Sequence, residues 1–364
     1  MDDNNASSFF EYSTELPEPK PSSNSGWAVG EIENSIVVRT AYALICMAGI
    51  IGNILVCIVL TRVRALRTNT SQLLVHLSVV DILVCIMAFP VNVFPTPPPM
   101  RGPFGDFLCR FYVSKYMQWA CMLASIGSLV IVNLERFIAI VYPLKYKTFF
   151  TVRKTSVMIL LVWVEALGSL LYFFFVYELD GDDNCKYNGW PSEEVRIVMG
   201  VYPYLMHYAG PLILMFAVQW KMITALKKQV NMITQQQADV KWSRRKLWQA
   251  QASQELQRTL LFVVITYAIC WGPNQTMFFC FMMGIDVDFT HPYYHIGVIL
   301  VVMNSCLNPL IYTVRNRPFR KALKELALCR RGGNNKVVPE MASEGSGSLT
   351  LANDSQNTNP KRVL

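Results

Sequence analysis

Glu135, Arg136 and Phe137 close an apolar run of about 23 residues, Met117 to Ala139. A helix of about 20 apolar residues is long enough to cross a bilayer. Adjacent opposite charges at such a border can form a pair that later changes partners. The plainer reading of Arg136 is a basic marker of the membrane edge. Asp81 lies deeper, in the middle of LLVHLSVVDILVCIMAF. A carboxylate there needs hydrogen-bond donors or a cation. Catalytic chemistry has no comparable support. The four histidines (76, 207, 291 and 295) are scattered, and neither HExxH nor GxSxG occurs. No CxxC pair is present, so a metal site has no motif behind it.

The elements that must position these residues are membrane helices. The 364 residues are 52% hydrophobic and 16% charged, where a soluble chain carries about 25% charged residues. Apolar runs predict seven spans, at roughly 36–60, 72–94, 117–139, 155–177, 196–226, 256–283 and 292–314. Pro90, Pro211, Pro273 and Pro309 interrupt spans 2, 5, 6 and 7, and should kink them. Residues 1–35 are acidic and rich in Pro, Ser and Asn, and read as a disordered head with a glycosylation sequon at Asn5. A Pro- and Gly-rich loop is expected from Pro95 to Leu108, and a polar, basic loop over 227–255. Residues 315–329 place Phe319, Leu323 and Leu326 at helical spacing among bases, an amphipathic helix for the membrane surface. Cys329 beside it is a candidate for palmitoylation. Residues 330–364 read as a disordered tail.

Bases cluster after spans 1, 3, 5 and 7, while acids fill the head and the loops after spans 4 and 6. The positive-inside rule then puts the N-terminus outside and the C-terminus in the cytoplasm, at the plasma membrane. The basic residues flank spans, which excludes a nucleic-acid partner as the reason for the net charge of +8.

One motif falls in each span: Gly52-Asn53, Asp81, Glu135-Arg136-Phe137, Trp163, Pro211, Cys270-Trp271-Gly272-Pro273 and Asn308-Pro309-Leu310-Ile311-Tyr312. With Cys109 and Cys185 this series resembles the rhodopsin-like (class A) G-protein-coupled receptors, most nearly those for neuropeptides. The resemblance implies an all-α bundle of seven transmembrane helices with a short amphipathic eighth. It implies a receptor, not an enzyme, whose partners are an extracellular ligand, a heterotrimeric G protein and the lipid bilayer. Arrestin and a receptor kinase would act on tail sites such as Ser343, Ser346, Ser348 and Thr350.

Family roles carry over position by position. Glu135 and Arg136 form the resting pair, and Leu144 is the apolar knob offered to the G protein. Trp271 beside Pro273 is the rotamer switch, and Asn308, Pro309 and Tyr312 move with span 7. Cys109 and Cys185 pair as a disulfide. Asp81, Ser125, Asn304, Ser305 and Asn308 either hold an allosteric Na⁺ or form a satisfied polar core. No other cofactor is implied. Three departures stand out. Cys109 is 27 residues from Arg136, two more than the family spacing. The first outer loop lacks a Trp before Phe104-Gly105. Gln219 replaces the Tyr expected eight residues after Pro211.

The ligand is narrowed by exclusion. Val302 stands where a retinal receptor has its Lys, and Gln118 where an amine receptor has its Asp. The candidate pocket is Lys115, Gln118, Trp119, Trp271, Gln275, Phe278, Tyr294 and His295. Six acids between spans 4 and 5 make a rim suited to a basic peptide. A lipid or other small molecule is the alternative ligand. A transporter is a remote alternative, and the internal repeats it would need are not seen.

Overall fold

Apolar side chains all round a helix leave it no stable place in water, and the long runs of this chain fold accordingly. The computed structural model describes residues 35–331 apart from 64–65, 67–68, 96–100, 181–183, 236–239 and 290. Seven helical stretches in it are long and apolar enough to cross a membrane. They are span 1 (Ile36–Arg62), span 2 (Asn69–Val93), span 3 (Gly102–Val141), span 4 (Val152–Val176), span 5 (Glu193–Gln235), span 6 (Ser253–Met282) and span 7 (Pro292–Arg315). A further helix, Arg317–Arg331, follows span 7. Leu44, Ile51, Ile213, Ile269 and Leu310 point outward, each more than half exposed. Such a girdle is stable only in hydrocarbon. Inside, small and branched residues such as Val84, Ala120, Ala124 and Val264 are fully buried and let the helices approach.

Local chemistry sets the helix ends. The Thr151 hydroxyl accepts from the Lys154 amide at 3.3 Å and opens span 4. Ser192 does the same for the Val195 amide at 3.3 Å, with Glu193 and Glu194 in the first turn of span 5. Both acids oppose the positive end of the helix dipole. Pro292 occupies the first turn of span 7, behind His291, whose Nδ1 accepts from the Tyr293 amide.

The bundle departs from the sequence expectation in five places. Gly102–Leu108 is helical, not loop. Span 3 then passes through a π turn at Cys109–Val113 and a left-handed Lys115 (φ 60°) before its main helix, Tyr116–Val141. The Ser114 amide reaches back five residues to the Cys109 carbonyl at 3.1 Å. A π turn carries a surplus residue, and together with the break at Lys115 it accommodates the long Cys109–Arg136 spacing. Span 4 begins earlier than predicted and leaves regular α-helix after Gly168. An antiparallel hairpin pairs Tyr177–Leu179 with Cys185–Tyr187, with Leu179 opposite Cys185. Finally, the basic segment 227–255 is mostly helix: one helix runs Gly210–Gln235 and the next Val240–Met282. The prediction of a loop there rested on polarity, which solvated helices share.

Candidate functional site

Three polar groups are strung along the bundle, one near the disulfide, one at mid-depth and one at the opposite end beside Arg136. At the first, Cys185 of the hairpin is bonded to Cys109 of the π turn, 76 residues apart. The hairpin is thereby tied over the entrance to span 3. Just below, Lys115 Nζ donates to Asn92 Oδ1 at 3.0 Å, and Asn92 Nδ2 donates to Gln118 Oε1 at 3.0 Å. Gln118 is buried, and its Nε2 has no acceptor among the described residues. Asn92 was not foreseen; the signal was an amide one residue before the end of span 2.

Of the other predicted pocket residues, Trp271, Gln275, Tyr294 and His295 are buried and Phe278 is half-buried. Trp271, Gln275 and Phe278 share one face of span 6, at spacings of four and three. Trp271 Nε1 and Gln275 Oε1 have no hydrogen-bond partner among the described residues. The Tyr294 ring is engaged by its own chain, against Phe289 (5.0 Å) and His295 (5.5 Å). Trp119 does not join the group. It is half-buried and turned about 100° from Gln118, and beyond its helical amide bond to the Lys115 carbonyl (3.0 Å) no hydrogen bond or ring contact links it to the others among the described residues. The acidic rim is weaker than its composition: Glu178 pairs with Lys186 (3.6 Å) and Glu193 with Arg196 (3.2 Å).

An aromatic ladder runs from this group toward mid-depth. Tyr204, Tyr208, Tyr267 and Trp271 succeed one another at 5.6, 6.2 and 6.2 Å between ring centroids. Gly272 permits it, because a Cβ there would lie 2.8 Å from the Tyr208 hydroxyl. The Tyr267 hydroxyl donates to the His207 carbonyl at 2.6 Å. His207 lies in a second π turn, Leu205–Ala209, and its Nε2 meets Glu165 Oε1 of span 4 at 2.6 Å.

At mid-depth Asp81 is fully buried. Its two oxygens accept from Ser125 Oγ at 2.7 Å and from Asn308 Nδ2 at 2.8 Å, which joins spans 2, 3 and 7. Asn53 Nδ2 donates to the Ser305 carbonyl at 3.0 Å and ties in span 1. The neighbouring Gly52 lets spans 1 and 7 approach closely, since a Cβ there would lie a tight 3.0 Å from the Pro309 ring. Asn304 and Ser305 are buried in the same span 7 segment. The amide oxygens of Asn53, Asn304 and Asn308 have no donor among the described residues. An array of oxygen acceptors around one carboxylate fits a small hard cation. The Tyr312 hydroxyl is also buried without a partner among them.

At the far end Glu135 is fully buried and receives Arg136 in two parallel bonds, Nε–Oε2 at 2.7 Å and Nη2–Oε1 at 2.8 Å. The Thr70 hydroxyl donates to the same carboxylate at 2.8 Å and the Tyr146 hydroxyl at 2.5 Å. Burial and the adjoining Glu135 push the Tyr146 phenol up to about 12, so it remains a donor throughout the physiological range. Leu144 projects beyond, 97% exposed. Gln219, the departure noted in span 5, has a place of its own. Its Nε2 donates to Asn133 Oδ1 at 2.7 Å and its Oε1 accepts from Gln257 Nε2 at 2.8 Å. This amide chain links spans 3, 5 and 6 where a tyrosine was expected.

A seven-helix membrane bundle with a charged pair at one end, a buried carboxylate in the middle and a disulfide-tied hairpin at the other defines a receptor class. Residues 52–312, more than half of the chain, match the family model "7 transmembrane receptor (rhodopsin family)". The chain belongs to this family, whose members are membrane receptors and not enzymes, and for which G-protein coupling is implied. It is 28% identical to galanin receptor 2b of Danio rerio over 83% of this chain and 78% of that receptor. It is 26% identical to neuropeptide Y receptor type 6 of Oryctolagus cuniculus over 87% of this chain and 89% of that receptor. It is 25% identical to the histamine H2 receptor of Canis lupus familiaris over 85% of both chains. Asn5 and the tail hydroxyls fall outside the described residues, and Cys329 lies in the final helix, with its side chain outside them.

Proposed function

We propose that the chain is a receptor for an extracellular peptide, with the disulfide end outside the cell and the Arg136 end in the cytoplasm. The observation that carries this reading is the hydrogen-bonded chain Lys115–Asn92–Gln118, which holds no carboxylate. Where an ammonium ligand would need a buried carboxylate, the bundle offers an amide, a second amide and a cation. Amides and a lysine suit peptide backbone and carboxylate groups. The names of the galanin and neuropeptide Y receptor relatives agree with a peptide, while the histamine receptor relative keeps a small molecule as the second reading.

Ligand entering above Trp271 would press on span 6 at Pro273. Span 6 would swing outward below the kink, Arg136 would leave Glu135, and a cleft beside Leu144 would admit the G protein. Asp81, Ser125, Asn304, Ser305 and Asn308 would hold Na⁺ in the resting arrangement, where it would neutralise the buried carboxylate. Tail phosphorylation for arrestin and an acyl chain on Cys329 belong to the same reading.

The test is a screen of basic peptides on transfected cells with calcium and cAMP readouts. A peptide response that Arg136→Ala abolishes, while labelled peptide still binds, is the expected result. A response confined to amines or lipids would overturn the peptide assignment. Full coupling by Arg136→Ala would overturn the role of the pair.

A further inference from the structure

Arg258 of span 6, Arg315 at the end of span 7, and Arg317 and Arg320 of the terminal helix line one cavity of about 310 Å³. A single carboxylate, Glu255, shares it, bridged to Arg317 at 3.5 Å. Arg315 stacks on the Phe262 ring at 4.3 Å, and Arg320 donates to the Val314 carbonyl. Neither Arg258, Arg315 nor Arg320 has a carboxylate partner among the described residues. Four guanidinium groups facing one carboxylate repel one another, and an anion with several oxygens would relieve that repulsion. The planar fork of arginine matches the oxygens of a phosphate.

The surroundings favour a lipid over a free anion. The cavity lies at the Arg136 end of the bundle, since Arg258 follows Gln257, the last link of the amide chain from Asn133. It adjoins two outward-facing apolar strips, Phe262, Ile265 and Ile269 on span 6 and Leu310 and Val314 on span 7. Acyl chains resting on those strips would set a headgroup against the arginines. Basic pockets between membrane helices bind anionic headgroups by this geometry. We propose that the junction of span 6, span 7 and the terminal helix is a binding site for the phosphate headgroup of an anionic phospholipid. The headgroup competes with Glu255 for Arg317, and so loosens the ion pair that joins the base of span 6 to the terminal helix. Only the leaflet facing the site rests on the orientation proposed above.

The purified full-length receptor in detergent, titrated with phosphatidylinositol bisphosphate and read by native mass spectrometry, tests this without ligand or G protein. A failure here therefore leaves the receptor reading intact. Arg258→Gln with Arg320→Gln should weaken binding about thirtyfold, and the exposed Arg258→Gln alone about fivefold, from roughly fivefold per arginine near a charged surface. Arg153→Gln, in the first turn of span 4 at the same end, should bind as the parent does. Unchanged affinity in both Arg258 variants would overturn the site. Inositol trisphosphate or inorganic phosphate binding as tightly as the lipid would show a soluble anion site instead, and would overturn the lipid assignment.

Discussion

Glu135 is the residue on which the resting arrangement turns. Its carboxylate is fully buried and held by Arg136, Thr70 and Tyr146 together. A hydrogen bond to a charged group contributes about 1.5–3 kcal/mol, so freeing Arg136 has a measurable cost. Glu135→Gln keeps the shape and removes the charge. Arg136 is partly exposed, which argues for the lower end of that range, a shift of about tenfold in the active fraction. Ligand-free nucleotide exchange on a G protein should therefore rise about tenfold, and basal exchange at the parent level would show that the pair restrains nothing. The two charges were legible in the sequence at the end of an apolar run, but their role as a resting pair came from the family resemblance, since a border marker would read the same way. Thr70 and Tyr146 were not legible. One lies 65 residues away on another helix, and the other opens a short helix, Tyr146–Phe149, between spans 3 and 4, whose path composition does not specify. Gln219 was legible only as a departure; its partners Asn133 and Gln257 became visible once three helices were side by side.

Among the elements, the existence of the seven spans was legible, while the helices at Gly102–Leu108 and within 227–255 and the irregular turns were not. Twenty apolar residues announce a span, but a π turn differs from an α turn by one residue and leaves no periodic mark in so short a stretch. The surplus spacing of Cys109 was the one trace of the turn in span 3. The turn in span 5 left another at Gly210, where a Cβ would lie 2.5 Å from the Leu205 carbonyl oxygen. That oxygen belongs to the backbone and cannot rotate aside. Gly210→Ala should force the turn to unwind, at about 1–3 kcal/mol by the usual cost of overpacking, and draw His207 away from Glu165. A lower melting temperature in detergent and reduced surface expression are expected. A melting temperature equal to the parent's would mean that span 5 passes this point as ordinary α-helix.

Across the molecule, the order of spans and the seat of each motif followed from hydropathy, whereas the coupling between motifs needed three dimensions. Asp81 shows why. It touches span 3 through Ser125 and span 7 through Asn308, and span 7 is held to span 1 through Asn53 and Ser305. A cation on Asp81 would therefore stabilise one arrangement of four helices at once. A peptide at the disulfide end, if it favours another arrangement, must oppose that cation, and linkage makes the opposition mutual. Replacing KCl by NaCl should lower peptide affinity by about fivefold to tenfold, the size of an ordinary coupling, and raise the melting temperature of the ligand-free receptor. Asp81→Asn keeps the volume and can still accept from Ser125, but it offers no charge to a cation. Both sodium effects should vanish in it, with peptide affinity in KCl close to that of the parent. A sodium response of full size in Asp81→Asn would place the ion elsewhere, and would reduce the mid-depth cluster to a set of hydrogen bonds that hold the helices together.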